Sequence, residues 1–193
     1  MRINYFLAII ALFTLTLAGC SKSDDNVSPA TTSSPADLLV RTWVFNDVSV
    51  QTDAKKYKIP AVLPTGGGLF GDENVLVFKK DGTFTAMVNK VPKTGKWALQ
   101  DKKLTLTDLF KGETTWTVNT LSANDLAFST IAVDLRKGKS INDSKAYSAE
   151  EGWAGEMSLL LLTMLDKNYG GTIDFSKEPE PKSVQLLVNG KAK

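Results

Sequence analysis

Few residues of this chain combine the type and spacing that chemistry requires. Cys20 is the single cysteine, and there is no histidine. Without an imidazole the chain lacks the commonest general base, the commonest zinc ligand and every Ser-His or Cys-His nucleophile pair. A lone thiol cannot close an internal disulfide. The carboxylates Asp72, Glu73, Asp108, Glu113 and Asp134 could supply a glycosidase pair, which needs no histidine, but nothing in their spacing brings two together. No catalytic residue is assigned, and the chain is expected not to be an enzyme.

Two further runs invite a ligand. Asp166-Lys167-Asn168-Tyr169-Gly170-Gly171-Thr172-Ile173-Asp174 resembles the first nine positions of an EF-hand calcium loop, with glycine sixth. Gly170 replaces an acidic ligand, Lys177 stands where a bidentate glutamate is needed, and prolines follow where a second helix should start. A helix C-terminal turn is the expectation, and no metal or cofactor is assigned. Thr65-Gly66-Gly67-Gly68-Leu69-Phe70-Gly71 lacks the Gly-Lys-Ser/Thr ending of a phosphate loop and reads as a mobile loop over the mouth of the fold.

Cys20 has a more informative context. Arg2, an apolar stretch from Tyr5 to Leu17, and the small residues Ala18 and Gly19 precede it, in the order of a secretory signal peptide. The apolar part is shorter than the roughly 20 residues a spanning helix needs. Leu17-Ala18-Gly19-Cys20 resembles the bacterial lipobox. That resemblance implies removal of residues 1–19, lipid on the Cys20 sulfur, and a lipoprotein of the outer membrane, periplasmic or surface-exposed. The two or three acyl chains it implies would hold the membrane stably, where one chain binds only marginally. Ser21-Lys22-Ser23-Asp24-Asp25 and the Ser/Thr/Pro/Ala stretch to Asp37 read as a flexible tether reaching roughly 20–25 Å on average. The acidic tract resembles the export tag of surface lipoproteins in Bacteroides-like bacteria, and reads equally as a solvated linker.

Losing Arg2 with residues 1–19 leaves 22 basic against 21 acidic residues. A near-neutral chain has no electrostatic footprint for nucleic acid. Residues 38–193 are enough for one domain with a sizeable core.

The elements that position these residues read as strands and turns. Trp43, Phe45, Val48 and Val50 mark the first, with a change of phase near Asn46-Asp47 that suggests a bulge. Tyr57 to Leu63 is a second, weakened by Pro60. Val75 to Lys79 and Thr83 to Asn89 flank Lys80-Asp81-Gly82, a hairpin signal. Gly95 to Leu99, Leu104 to Thr107, Thr114 to Thr120 and a run from Leu126 to Val133 complete eight, the number and spacing of an antiparallel barrel or sandwich. The period then changes. Ser148-Ala149-Glu150-Glu151 has capping-box spacing, and Trp153, Met157, Leu160, Leu161, Met164 and Leu165 predict an amphipathic helix over 149–168, packed on the outside of the sheet. Thr172 to Phe175 and Val184 to Val188 read as short closing strands.

Leu39-Val40-Arg41-Thr42-Trp43, Val77-Phe78-Lys79-Lys80-Asp81-Gly82-Thr83-Phe84, and Gly95-Lys96-Trp97 before Leu104-Thr105-Leu106 together resemble the lipocalin-like domain of bacterial lipoproteins, over roughly Leu38 to Val133. The resemblance implies a mainly β, antiparallel barrel of about eight strands, with a helix beside it and a late strand rejoining it. Arg41 departs from the glycine that lipocalins carry before this tryptophan. They also place a late arginine over the tryptophan, and Arg136 is the only arginine downstream. An eight-stranded barrel either fills with its own side chains or holds one small ligand. Trp43, Phe45, Phe78, Phe84, Trp97, Trp116 and Phe128 are therefore candidates to line a pocket for a small apolar molecule, or to fill the core. The leading expectation is a lipid-anchored, non-enzymatic ligand-binding barrel in the cell envelope. The alternative is a surface interaction module with a solid interior.

Overall fold

The computed structural model describes residues 34–63, 66–110 and 112–193. Cys20, the segment resembling a signal peptide and the acidic tract after it lie outside the described residues. The described part opens on α1 (Pro35–Leu39). Its cap is reciprocal: the Asp37 amide donates to Ser34 Oγ at 3.1 Å, and the Ser34 amide donates to the Asp37 carboxylate at 3.2 Å. Pro35 supplies the fixed φ that suits a first turn. The folded unit therefore begins ahead of Leu38, inside a Ser/Pro/Ala-rich stretch whose composition reads as tether.

Ten strands follow: β1 (Thr42–Thr52), β2 (Lys56–Ile59), β3 (Val75–Phe78), β4 (Thr83–Val88), β5 (Val91–Gln100), β6 (Lys103–Thr107), β7 (Glu113–Leu121), β8 (Asp125–Ser129), β9 (Val133–Asp134) and β10 (Ser183–Ala192). β1 pairs with β3 through Thr42 to Val44, β3 to β8 pair each with the next, and β8 pairs with β10. β10 then pairs back along β1, with Val48 opposite Val188 and Val50 opposite Leu186. Eight antiparallel strands thus close a barrel, and closure removes the open edges of the sheet. β2 continues the sheet beyond β3 on one side of β1, and β9 beyond β8 on one side of β10.

Membership of the ring differs from the sequence reading in one respect. The segment starting at Tyr57 pairs only with β1 and stands outside the ring, and its place is taken by β10, which is long rather than short. Asn189, Gly190 and Lys191 hide the second half of β10 from any hydrophobic pattern. Gly190 is required there, because a Cβ would lie 2.6 Å from the Phe45 ring. The phase change expected in β1 is present as a register shift between Val44 and Asp47. Period-two alternation turns Trp43, Phe45, Leu76, Phe78, Phe84, Leu104, Leu106, Trp116, Phe128 and Leu186 inward, all essentially buried.

α2 (Ala149–Leu165) starts at the expected capping box, Ser148 with Glu151. It buries Ala154, Gly155, Ser158, Leu161, Leu162 and Leu165. Its exposed face includes Leu160 beside Glu156 and Thr163, so its amphipathicity is weak. The helix was expected on the outer wall, but it packs on the inward face, across one end of the barrel. Trp153 meets Trp116 edge to face at 5.2 Å, and a Cβ on Gly155 would lie 3.5 Å from Val133, which pairs with Val184. The reason is the sheet extension: β2 and β9 prolong the inward face past the ring, and that apolar shelf needs a cover. Among the described residues no helix is long and apolar enough to cross a membrane. The strand expected over Thr172 to Phe175 is only a single bridge at Ile173, followed by one 3-10 turn, Phe175–Lys177.

Gly95 shows how tightly the ring is filled. A Cβ there would lie 2.2 Å from the Thr107 carbonyl oxygen and 2.4 Å from the Phe84 ring. Gly95→Ala is expected to cost about 1–3 kcal/mol through overpacking. Urea denaturation should show a lowered midpoint, and an unchanged midpoint would contradict this packing.

Candidate functional site

The seven candidate aromatics share one hydrophobic core but fall into separate ring-to-ring groups. Phe45, Trp116 and Phe128 form one group, with ring centroids 5.3 Å apart for Phe45–Phe128 and 5.0 Å for Trp116–Phe128. Phe78 packs against Phe84 and edge-on against Trp97, which is partly buried and donates from Nε1 to the Lys79 carbonyl at 3.1 Å. Trp43 stands apart, donating from Nε1 to the Leu39 carbonyl at 2.9 Å. The cation over Trp43 is Arg41, its guanidinium carbon 5.6 Å from the ring centroid. Arg136 is instead engaged by Asp134 at 2.8 Å.

The centre of the first group is occupied by a residue outside that set. Phe70, fully buried, lies 4.9 Å from Phe45, 5.9 Å from Phe128 and 6.0 Å from Trp116 between ring centroids. These are favourable aromatic separations. Phe70 comes from the glycine-rich loop, which therefore does more than lie over the mouth. Gly67 and Gly71 hold φ of +71° and +98°, values that favour glycine. Asn74 fixes the loop from beneath: its side-chain oxygen accepts from the Phe70 amide at 3.0 Å, and its Nδ2 donates to the Ala61 carbonyl at 2.7 Å. A Cβ on Gly68 would collide with that side chain at about 2.0 Å. The sequence signal was a lone aromatic amid glycines, but nothing in spacing says whether it points out or in.

The bulge in β1 shapes a groove on the outer wall, about 410 Å³, bordered by Val44, Asn46, Asp47, Thr120, Asp125 and Lys191 among others. Asn189 Nδ2 donates to Asp47 at 2.9 Å, and Lys191 pairs with Asp125, so the charges around a largely apolar lining are compensated.

The EF-hand-like run is a turn that follows α2. Asp166 accepts from the Asn168 amide at 2.8 Å, Gly170 adopts φ +91°, and a Cβ on Gly171 would strike the Leu165 backbone. The cations beside Asp174 are the Lys167 ammonium at 2.7 Å and the Lys177 ammonium at 3.6 Å. The other carboxylates singled out are separately engaged where the structure gives them partners: Asp72 accepts the Asn89 and Lys90 amides, and Asp134 holds Arg136. Among the described residues no group of three or more acidic or sulfur ligands is placed to hold a metal.

Hydrogen bonds from Lys167 and then Ser176 hold the Asp174 carboxyl at about 2, and the Arg136 side chain does the same for Asp134. A carboxyl whose folded value lies below its unfolded value contributes stability above about pH 4, and loses it as pH falls through about 2. Both groups keep contact with solvent, so the effect is screened. Two-dimensional NMR titration is expected to find these two aspartates still ionised near pH 3. Ordinary midpoints near 4 would show that the pairings do not persist in solution.

No family model matches this chain, and no curated protein matches it. Among solved structures it is similar to a lipocalin-like protein from Bacteroides uniformis, at 17% identity and a TM-score of 0.32, over 47% of this chain and 88% of that one.

Proposed function

We propose that this chain is a lipid-anchored, non-enzymatic barrel of the bacterial envelope that works through its outer surfaces, with the interior serving as a rigid core. The lipid anchor rests on Leu17-Ala18-Gly19-Cys20 and the apolar segment before it. The single observation behind the surface reading is Phe70 packed among Phe45, Trp116 and Phe128, where a lipocalin-type ligand would otherwise sit. The absence of histidine supports a binding role over catalysis.

A second reading has its own observation. Phe70 is carried by a loop whose glycines at 66, 67 and 71 all hold positive φ. A small apolar molecule could take the place of that ring if the loop swung outward.

The two readings part on one measurement. Wild-type protein titrated with an environment-sensitive fatty-acid probe is expected to show no saturable binding, and saturable binding would replace the first reading with the second. Phe70→Ala is expected to lose about 3–5 kcal/mol of stability, read by urea denaturation. It should also gain probe binding, because an apolar cavity stays dry and accepts apolar guests. The anchor is tested separately. Cells fed labelled palmitate should label the wild-type chain and leave Cys20→Ala unlabelled, and equal labelling of both would remove the anchor.

A further inference from the structure

We infer that the α1 end of the barrel is a docking surface for an anionic phospholipid bilayer. Hydrogen bonds gather one set of turns at that end. The Phe78 amide donates to the Arg41 carbonyl at 3.0 Å, and the Arg41 guanidinium donates to the Ala123 carbonyl. The Trp97 amide donates to the Gly82 carbonyl at 2.8 Å, and the Val118 amide to the Lys102 carbonyl at 2.6 Å. Pro35 and Leu38 of α1 border the same groove as Asp101 and Lys102. The β3–β4, β5–β6 and β7–β8 turns thus surround the point where the chain enters the folded unit at Ser34.

Two of those turns present adjacent lysines, Lys79-Lys80 and Lys102-Lys103, all exposed and none in an ion pair among the described residues. The carboxylates of Asp37, Asp81 and Asp101 offset part of that charge, and the Arg41 guanidinium adds to it. Asp81 accepts from the Thr83 amide and hydroxyl at 2.9 and 2.6 Å, Asp37 caps α1, and Asp125 pairs with Lys191. Asp101 is exposed and lowers the local positive charge without cancelling it. Exposed large apolar side chains stand at the other end: Val62, Met87 and Val91 are 66%, 40% and 57% exposed. The turns at the α1 end therefore carry a net positive charge, beside a small apolar groove bordered by Leu38, Leu99 and Leu121. Ser34 stands 14 positions after Cys20, so a lipid on Cys20 would hold that end close to a charged surface. This inference rests on the anchored reading for its setting. The surface itself is tested without the anchor.

The core runs from Leu39 to Val188 and the ring closes within it, so a chain of residues 21–193 contains the whole folded unit. Sedimentation of that unlipidated chain is measured with vesicles of pure phosphatidylcholine and of equal parts phosphatidylcholine and phosphatidylglycerol. Binding is expected only to the anionic vesicles, and added salt should weaken it. Lys79→Glu, Lys80→Glu, Lys102→Glu and Lys103→Glu combined should reduce it roughly tenfold or more, with an unchanged near-ultraviolet circular dichroism spectrum. Lys90→Glu with Lys93→Glu, at the opposite end, should leave it unchanged. Equal sedimentation with both vesicles, none with either, loss in the opposite-end variant, or stronger capture by a soluble acidic polysaccharide than by vesicles would each overturn the inference. Palmitate labelling of the full chain reports on the anchor alone, so failure of either reading leaves the other visible.

Discussion

The pairing of β1 with β10 is the constraint on which the fold depends. Val48, Val50 and Thr52 face Val188, Leu186 and Val184 across the seam, joining the first strand to the last. Without it, β1 and β10 would be free edges of an open sheet, and the inward rows of both, Trp43 and Phe45 of β1 and Leu186 and Val188 of β10, would be open to water. The seam also sets the position of α2. β10 supplies the far half of the shelf that the helix covers, and β9 is held on the sheet only through Val184 and Ser183. Because the two strands are far apart in sequence, the ring cannot close until the helical segment has been laid down, which is the kind of non-local pairing that makes folding slow.

Closure leaves an interior narrow enough for side chains to fill, and the chain fills it by matching rings to glycines. Gly190 makes room for Phe45 and Gly95 for Phe84. Asn74 then brings Phe70 down among Phe45, Trp116 and Phe128, with its own buried amide satisfied by Phe70 and Ala61. A buried polar side chain with both ends bonded specifies one loop position without the desolvation cost of an unpaired group. The aromatic residues that would line a pocket in a hollow barrel are here spent on one another.

Much of this was legible beforehand, for physical reasons that also explain the gaps. Alternation exposed β4, β6 and β7, because each has a buried inward row and a more solvated outward row. Asp81-Gly82 marked its hairpin, and Ser148 with Glu151 marked the start of α2, since caps and tight turns are local chemistry. The full length of β10 was hidden by Gly190, whose role is defined by Phe45 across the seam. α1 was hidden by linker-like composition around a valid capping box. Phe70 was the largest omission at the candidate site. Its burial depends on Asn74, Ala61 and three strands meeting in space, and one-dimensional spacing carries none of that. The seven aromatics share one hydrophobic core, with Trp97 partly buried at its edge, and their ring-to-ring groupings follow from strand register.

The distribution of loops separates the two ends of the barrel. Turns at the α1 end are short: Lys79 to Gly82, Asp101 with Lys102, and Ser122 to Asn124. The Phe70 loop, the β4–β5 tip at Asn89-Lys90 and the long segment that carries α2 all emerge at the other end. Irregular backbone on a rigid scaffold is where binding surfaces are usually built, since loops can differ without disturbing the sheet. A barrel filled to its centre suits such a division. Its packed core separates the loop-bearing end from the α1 end.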